Sequence, residues 1–337
     1  MASPEEIEIK FRLPARARAA IRRHPALSPP RASLPEARAE VTTYFDTASG
    51  RLGEAGASLR VRRTADGRLT QTLKLGPIAE GPAARRAEWE WPVAIEAPDL
   101  GPLAAIDGAE AFAGLDGTLV PLCATEIDRT VWRIAAADGT TIEAALDRGR
   151  IRAGKRRVAV SELELELKSG SPGVLYRLAL ELAESVPLCL EPASKAERGA
   201  RLAGLAGRAA STPENVALDR EMTGAQAFCR IIGAAVGHMR VNLEPAVRGH
   251  VEGVHQVRVA ARRLRAAIAL FKPLLEPDTA GPFNSELRRS GQVFGAARDW
   301  DVFVTETLPR AEADGLAPEW LRLLAAAAAP AHSKSCR

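Results

Sequence analysis

The stretch that decides the fold is EIEIKFRL, Glu6–Leu13. Glu6, Glu8, Lys10 and Arg12 share one parity, and Ile7, Ile9 and Phe11 take the other. Strand side chains alternate faces, so this segment reads as a strand with one charged and one apolar side. The same design recurs downstream. Arg60 and Arg62 oppose Leu59 and Val61, and Lys74 is in phase with Thr72. Arg86, Glu88 and Glu90 oppose Trp89 and Trp91, and Arg129 and Arg133 oppose Trp132 and Ile134. Glu143 and Asp147 oppose Ile142 and Leu146, while Glu162, Glu164 and Glu166 oppose Leu163, Leu165 and Leu167.

Two arrangements satisfy such strands. An open sheet would lay its apolar face on a core and its charged face in water. A closed barrel would turn the charged face inward and cover its apolar outside with helices. Water-facing strands usually mix Ser, Thr, Gln and Lys, whereas Arg and Glu dominate here. A charged lumen could hold magnesium or manganese, hard cations that take oxygen ligands, through Glu6 and Glu8 with Glu162 and Glu164 from a neighbouring strand. Arginine forks and lysine ammonium groups in the same lumen suit phosphate. Phosphoryl transfer needs mainly positioning and charge neutralisation, which such a lumen supplies.

Around this strand pattern the chain has 337 residues, 46% apolar and 26% charged, enough for two ordered domains. Helical stretches precede Pro25 and cover GVLYRLALELAES; with many antiparallel strands this predicts an α+β barrel. Residues 25–41 are Pro-rich and carry no assigned role. From Thr223 the period changes to 3.6, and four helices are predicted. The net charge of +4 lies entirely there, with 15 Lys/Arg against 11 Asp/Glu, which points to an anionic partner. Cys123, Cys189, Cys229 and Cys336 have no metal-type spacing and read as reduced, mostly buried thiols. With no leader and no membrane-length apolar run, a cytoplasmic location is expected.

The ordered series of motifs carries a resemblance. EIEIK resembles the ExExK signature of the CYTH domain, the triphosphate tunnel metalloenzymes. TYFDT (43–47), LRVRR, LK (73–74), RRAEWE, the Arg129 segment, IEAALDRGRIRAG, ELELELKSG and SKAERG follow at family-like spacing. Most similar is the branch of bacterial inorganic triphosphatases with a helical domain behind. The resemblance implies an eight-stranded antiparallel β tunnel over 1–203, a linker over 204–222 and a helical domain over 223–337. It implies Glu6, Glu8, Glu162 and Glu164 as ligands of Mg2+ or Mn2+. Lys10, Arg60, Arg62 and Lys74 would be catalytic groups, and Arg86, Arg129 and Lys195 substrate-binding groups, with Lys195 closing one tunnel mouth. Glu166 and Glu90 stand between a structural and a supporting role.

In VHQVRVAARRLRAAIALFK, Arg258, Arg262, Arg265 and Lys272 follow His255 at +3, +7, +10 and +17, on one helix face. No acid interrupts this ridge from Gly253 to Leu275, and a self-repelling basic face suits a polyanion. The stretch, with HMRVN (238–242) and GAARDWD (295–301), is similar to the CHAD domain. That likeness implies polyphosphate binding through His255, Arg258, Arg262, Arg263, Arg265 and Lys272, with His238 a weaker candidate. A complete CHAD domain has two such halves; one is found here, so a truncated or frame-shifted bundle with an exposed apolar face is expected.

The function expected is metal-dependent hydrolysis of inorganic triphosphate, with polyphosphate as a second partner and polyphosphate granules as a possible location. The alternatives are a polyphosphate-binding or targeting protein with little hydrolysis, or a thiamine triphosphatase or adenylate cyclase of the same superfamily. Nucleic acid ranks below these, because aromatic residues at 4% leave little stacking surface. No membrane partner is expected.

Overall fold

The alternation that begins at Glu6 closes on itself. In the computed structural model, which describes residues 5–78, 84–106, 108–112, 114–115, 117–205, 210–315 and 317–335, nine strands form one sheet. They are β1 (Glu5–Arg12), β2 (Glu36–Thr47), β3 (Ser58–Thr64), β4 (Leu69–Ile78), β5 (Ala84–Pro92), β6 (Leu119–Ala135), β7 (Thr141–Ala153), β8 (Arg156–Ser169) and β9 (Cys189–Leu190). The order is β5-β4-β3-β2-β6-β7-β8-β1, and β5 then pairs with β1, closing an eight-stranded antiparallel barrel. The short β9 extends β1 at Phe11 and Arg12. Closure leaves no free edge on these eight strands, which rules out the open sheet.

Helices cover the outside where the sequence is apolar. Helices α1 (Arg18–Arg22), α2 (Arg51–Glu54), α3 (Pro172–Ser185) and α4 (Lys195–Ala203) belong to this unit. Ile21 of α1 and Leu175, Leu178 and Leu182 of α3 bury Ile7, Ile9, Trp132, Ile142, Leu163 and Leu165 of the barrel wall. On the opposite wall Leu59 and Leu73 bury against Leu52, Leu103, Phe112 and Leu115. Each such aliphatic side chain contributes roughly 1.5–3 kcal/mol on burial. With the apolar parity facing these helices and turns, the charged parity faces the lumen.

One strand eluded the pattern. Residues 36–41, placed in a stretch without a role, begin β2 and complete the ring between β3 and β6. Its outward positions include Ala37 and Ala39, so the apolar half of the alternation is faint. At its far end TYFDT turns the chain: the buried Asp46 carboxylate accepts hydrogen bonds from the backbone N–H of Thr47, Leu52 and Gly53, fixing the start of α2.

A second compact unit lies beyond residue 208. It contains α5 (Gly224–Val247), α6 (Val251–Leu270), α7 (Pro277–Val302), α8 (Leu308–Ala313) and α9 (Pro318–Ser335). The helix predicted over 284–308 is α7 running through a π-turn at Phe303–Thr307 into α8. The basic helix ends earlier than its periodicity suggests, because Pro273 disfavours helical backbone in the residue before it. Lys272 therefore lies in a 3-10 turn past α6, not on its face. Leu270, Phe283, Trp320 and Leu323 are exposed, as a half-bundle would leave them.

The cysteines correct one expectation. Cys123 is buried, but Cys189 and Cys229 are exposed, so the described thiols are not mostly buried; Cys336 lies outside the described residues. Cys123 matters for packing. A Cβ on Gly199 of α4 would collide with its Sγ, so only glycine lets α4 settle onto the barrel end. We predict that Gly199→Ala lowers stability by about 1–3 kcal/mol, the usual range for overpacking. Urea unfolding should show the loss, and Cys123→Ala should recover part of it in the double variant. Equal unfolding midpoints for the parent and Gly199→Ala would contradict this packing.

Candidate active site

The lumen is a network of paired charges. Strand β1 contributes Glu6, Glu8 and Lys10, and the register sets Lys10 opposite Glu164, Glu8 opposite Glu166 and Arg12 opposite Glu162 of β8. Strands β3 and β4 contribute Arg60, Arg62 and Lys74; β5 contributes Arg86, Glu88 and Glu90. Strands β6 and β7 contribute Arg129 and Asp147, which are directly opposite each other.

Each base expected to grip phosphate has a carboxylate partner. Lys74 Nζ donates to both oxygens of Glu6 at 2.7 and 2.6 Å and lies 3.4 Å from Glu88. Lys10 lies 3.1 Å from Glu8 and 3.6 Å from Glu164. Arg60 spans Glu88 and Glu90 at 3.5 and 3.8 Å, and Arg62 meets Glu90 at 2.7 Å and Glu40 at 3.8 Å. Arg129 forks onto Asp147 at 2.8 and 2.7 Å and also donates to Glu164 at 2.7 Å. Arg86 reaches Glu197 of α4 at 4.0 Å.

Lys195 enters from α4. SKAERG, a motif in the sequence, is a set of fastenings in the fold. Ser194 and Glu197 form a reciprocal capping box. Arg198 is ion-paired with Glu162, and Gly199 permits the close approach to Cys123. Ala196 and Leu202 pack on Tyr44, Cys123, Ile127, Ile151 and Val160, so α4 plugs one end of the barrel. The buried Lys195 ammonium lies 2.8 Å from Asp147, 2.9 Å from Glu162 and 2.7 Å from Glu164. One oxygen from each of these three carboxylates lies within 4.8 Å of the others.

The field in the lumen is uneven. Burial alone would raise Glu164, but Lys195, Arg129 and Lys10 hold its carboxyl well below the usual range. Burial would lower Lys195, but Asp147 and Glu164 raise it well above an ordinary lysine. On β1 the balance reverses: burial and the neighbouring Glu8 push the Glu6 carboxyl up in spite of Lys74. Burial also pushes Glu166 up, with Glu6 and Glu8 adding to the shift and Lys168 opposing it. Glu8 itself is held down, because Lys10 outweighs its burial and Glu164. The positive charge thus gathers around Lys195 and Arg129, and a deficit of cation lies at Glu6 and Glu166.

The structure brings together Glu6, Glu8, Glu162, Glu164, Lys10, Arg60, Arg62, Lys74, Arg86, Arg129 and Lys195 on one inner surface. It adds Asp147, fully buried, which the sequence reading placed on the charged face without a role. It also gives places to the two undecided glutamates: Glu90 holds Arg62 and accepts from Thr72, and Glu166 lies opposite Glu8. In the second unit His255, Arg258 and Arg263 are half-buried, and Arg262, Arg265 and Lys272 are exposed. His238 is buried instead, its Nε2 2.9 Å from the carbonyl of Ser211.

Residues 4–200 match the CYTH domain, and residues 230–337 match the CHAD domain. Over 160 residues the chain is 34% identical to the inorganic triphosphatase of Haemophilus influenzae, a match covering 47% of this chain and 44% of that protein. The chain thus matches less than half the length of that relative. Among solved structures, a Hippeastrum adenylyl cyclase candidate with a dominant triphosphatase activity aligns at 23% identity and a TM-score of 0.38, covering 56% of this chain and 92% of its own. The Mimivirus capping enzyme triphosphatase aligns at 12% identity and a TM-score of 0.34, covering 53% and 89%. With more than half its length matched, the chain belongs to the CYTH domain family, and a CHAD region follows its barrel in sequence.

Proposed function

We propose that the tunnel hydrolyses inorganic triphosphate with the help of magnesium or manganese, and that the basic helix α6 binds polyphosphate. The observation that carries the first part is the closed lumen in which each phosphate-gripping base is held by a carboxylate. The 34% identity to the Haemophilus inorganic triphosphatase supports the same reading.

The residues present fit a divalent ion. The inner carboxylates are an all-oxygen donor set, which matches hard cations. Asp147, Glu162 and Glu164 already converge on a cation, the Lys195 ammonium. Lys10 links this group to Glu8, and the raised carboxyl of Glu6 marks where positive charge is lacking. Glu6, Glu8, Glu162 and Glu164 would hold the ion, with Asp147 as a further oxygen donor. When bound, the ion supplies charge neutralisation and lowers the pKa of a coordinated water.

The chain's own groups do the rest. Carboxylates engaged elsewhere release Lys10, Lys74, Arg129 and Lys195 toward the substrate oxygens. Arg60, Arg62 and Lys74 reach the triphosphate from β3 and β4; Lys10, Arg129 and Lys195 reach it from β1, β6 and α4. Arg86, the only one of these bases whose partner is on α4, binds near the plugged end. Arginine forks fix the chain of phosphates in line, and lysines neutralise the charge that develops. The α6 arginines have no ion-pair partner among the described residues, so they present uncompensated charge to a polyanion.

Three outcomes test this reading. Glu6→Gln and Glu8→Gln should each abolish metal-stimulated phosphate release from tripolyphosphate while the far-UV circular dichroism stays the same. Turnover and metal dependence unchanged in both variants would remove them as ligands. Arg60→Ala and Arg129→Ala should each slow turnover by about one to two decades, since a charge-assisted contact to phosphate contributes roughly 1.5–3 kcal/mol. Full activity in either variant would show that its guanidinium does not touch substrate. Joint replacement of His255, Arg258 and Arg262 by Ala should weaken long-chain polyphosphate binding and its salt dependence, leaving tripolyphosphate hydrolysis as it was. Undiminished binding would move the polyanion site off α6.

A further inference from the structure

The plugged end of the barrel carries a group of arginines that the lumen does not use. Arg12, the last residue of β1, lies directly opposite Glu162 in the β1–β8 pairing. Residues so paired share a face, with Cβ atoms about 4.5–5.5 Å apart. Arg198 of α4 approaches the same glutamate and donates as well to the carbonyl of Ala159 at 3.3 Å. Arg201 follows Arg198 by three residues and shares its helix face. Glu162 is the one acid of the pairing, and its other oxygen is already 2.9 Å from Lys195. Arg12 is exposed, and Arg198 and Arg201 are half-buried.

This rim has more positive charge than Glu162 can balance. Burial, with the like charges of Arg201 and Arg12 added, pulls the Arg198 guanidinium down to about 10. An arginine depressed in this way is one that gains from a nearby anion. The three guanidinium groups sit on two elements that α4 packing holds in fixed relation, because Gly199 seats the helix directly on Cys123. Such a preorganised fork geometry suits the oxygens of a phosphate group.

We propose that Arg12, Arg198 and Arg201 form an oxyanion site on the rim of the plugged barrel end, outside the lumen, that takes a single phosphate group. That group is either free orthophosphate or one phosphate of a chain too long for the lumen. The site does not depend on the hydrolase reading, because binding at the rim requires neither metal nor turnover.

The test uses the full chain. Inorganic phosphate is titrated calorimetrically into the parent, Arg12→Ala/Arg201→Ala and Arg12→Lys/Arg201→Lys, all without metal. Arg198 is left in place because its removal would strand Glu162. We expect phosphate affinity at one site to fall at least about tenfold in the alanine pair, the loss of a charge-assisted contact, and to fall less in the lysine pair. A second arm follows hydrolysis. Free orthophosphate as the ligand predicts that the alanine pair relieves inhibition by added phosphate. A longer chain as the ligand predicts a raised KM for polyphosphate with the KM for tripolyphosphate unchanged. An alanine pair whose phosphate isotherm matches that of the parent overturns the site.

Discussion

Everything in the barrel depends on compensating charge inside a closed wall. Asp147 shows the constraint at its sharpest: it is fully buried, forked by Arg129 and met by Lys195. A buried carboxylate without partners would be prohibitive, and removing one member of such a pair typically costs about 3–5 kcal/mol. The inward parity of the strands therefore carries acids and bases together, and α4 adds the Lys195 ammonium on which three carboxylates converge. The apolar parity is then free to face outward under α1 and α3 on one side and the turns around Leu103 and Phe112 on the other. A tunnel lined in this way resists an anion until a cation takes over part of the carboxylate work. In that sense the resting ion pairs are the machinery in its closed arrangement.

The parity pattern made most of this legible. Glu6, Glu8 and Lys10 alternate with Ile7 and Ile9 so cleanly that only the destination of the charged face was open, and the β5–β1 pairing decided it. β2 was harder to read because Ala37 and Ala39 fill outward positions where Leu or Val would have signalled a strand. Asp147 was placed on the right face but not assigned, since its importance comes from three strands and a helix meeting at one point, which no local window contains. The motif SKAERG pointed to Lys195; that Gly199 and Cys123 set its position follows only from packing. In the helical region the periodicity named the basic face, yet Pro273 ended the helix before Lys272.

The two units treat positive charge in opposite ways. In the barrel, Lys10, Arg60, Arg62, Lys74, Arg86, Arg129 and Lys195 each rest on an acid. On α6 the arginines have none among the described residues, and no acid occurs between Gly253 and Leu275. The first arrangement makes anion binding conditional on a second ion; the second makes it immediate and sensitive to salt. Polyphosphate held on one surface and short triphosphate processed in the other would draw on different physical responses of the same chain.

The central claim is that cation and triphosphate enter the lumen cooperatively, each releasing partners for the other. The direct measurement is calorimetric titration of the full chain with a non-hydrolysable tripolyphosphate analogue, with and without magnesium or manganese. The account predicts at least about tenfold tighter analogue binding with the metal present, in the usual range of coupling between two sites, and loss of that gain in Glu8→Gln. Equal affinity with and without metal would contradict it, and would mean that the lumen bases do not wait on the carboxylates.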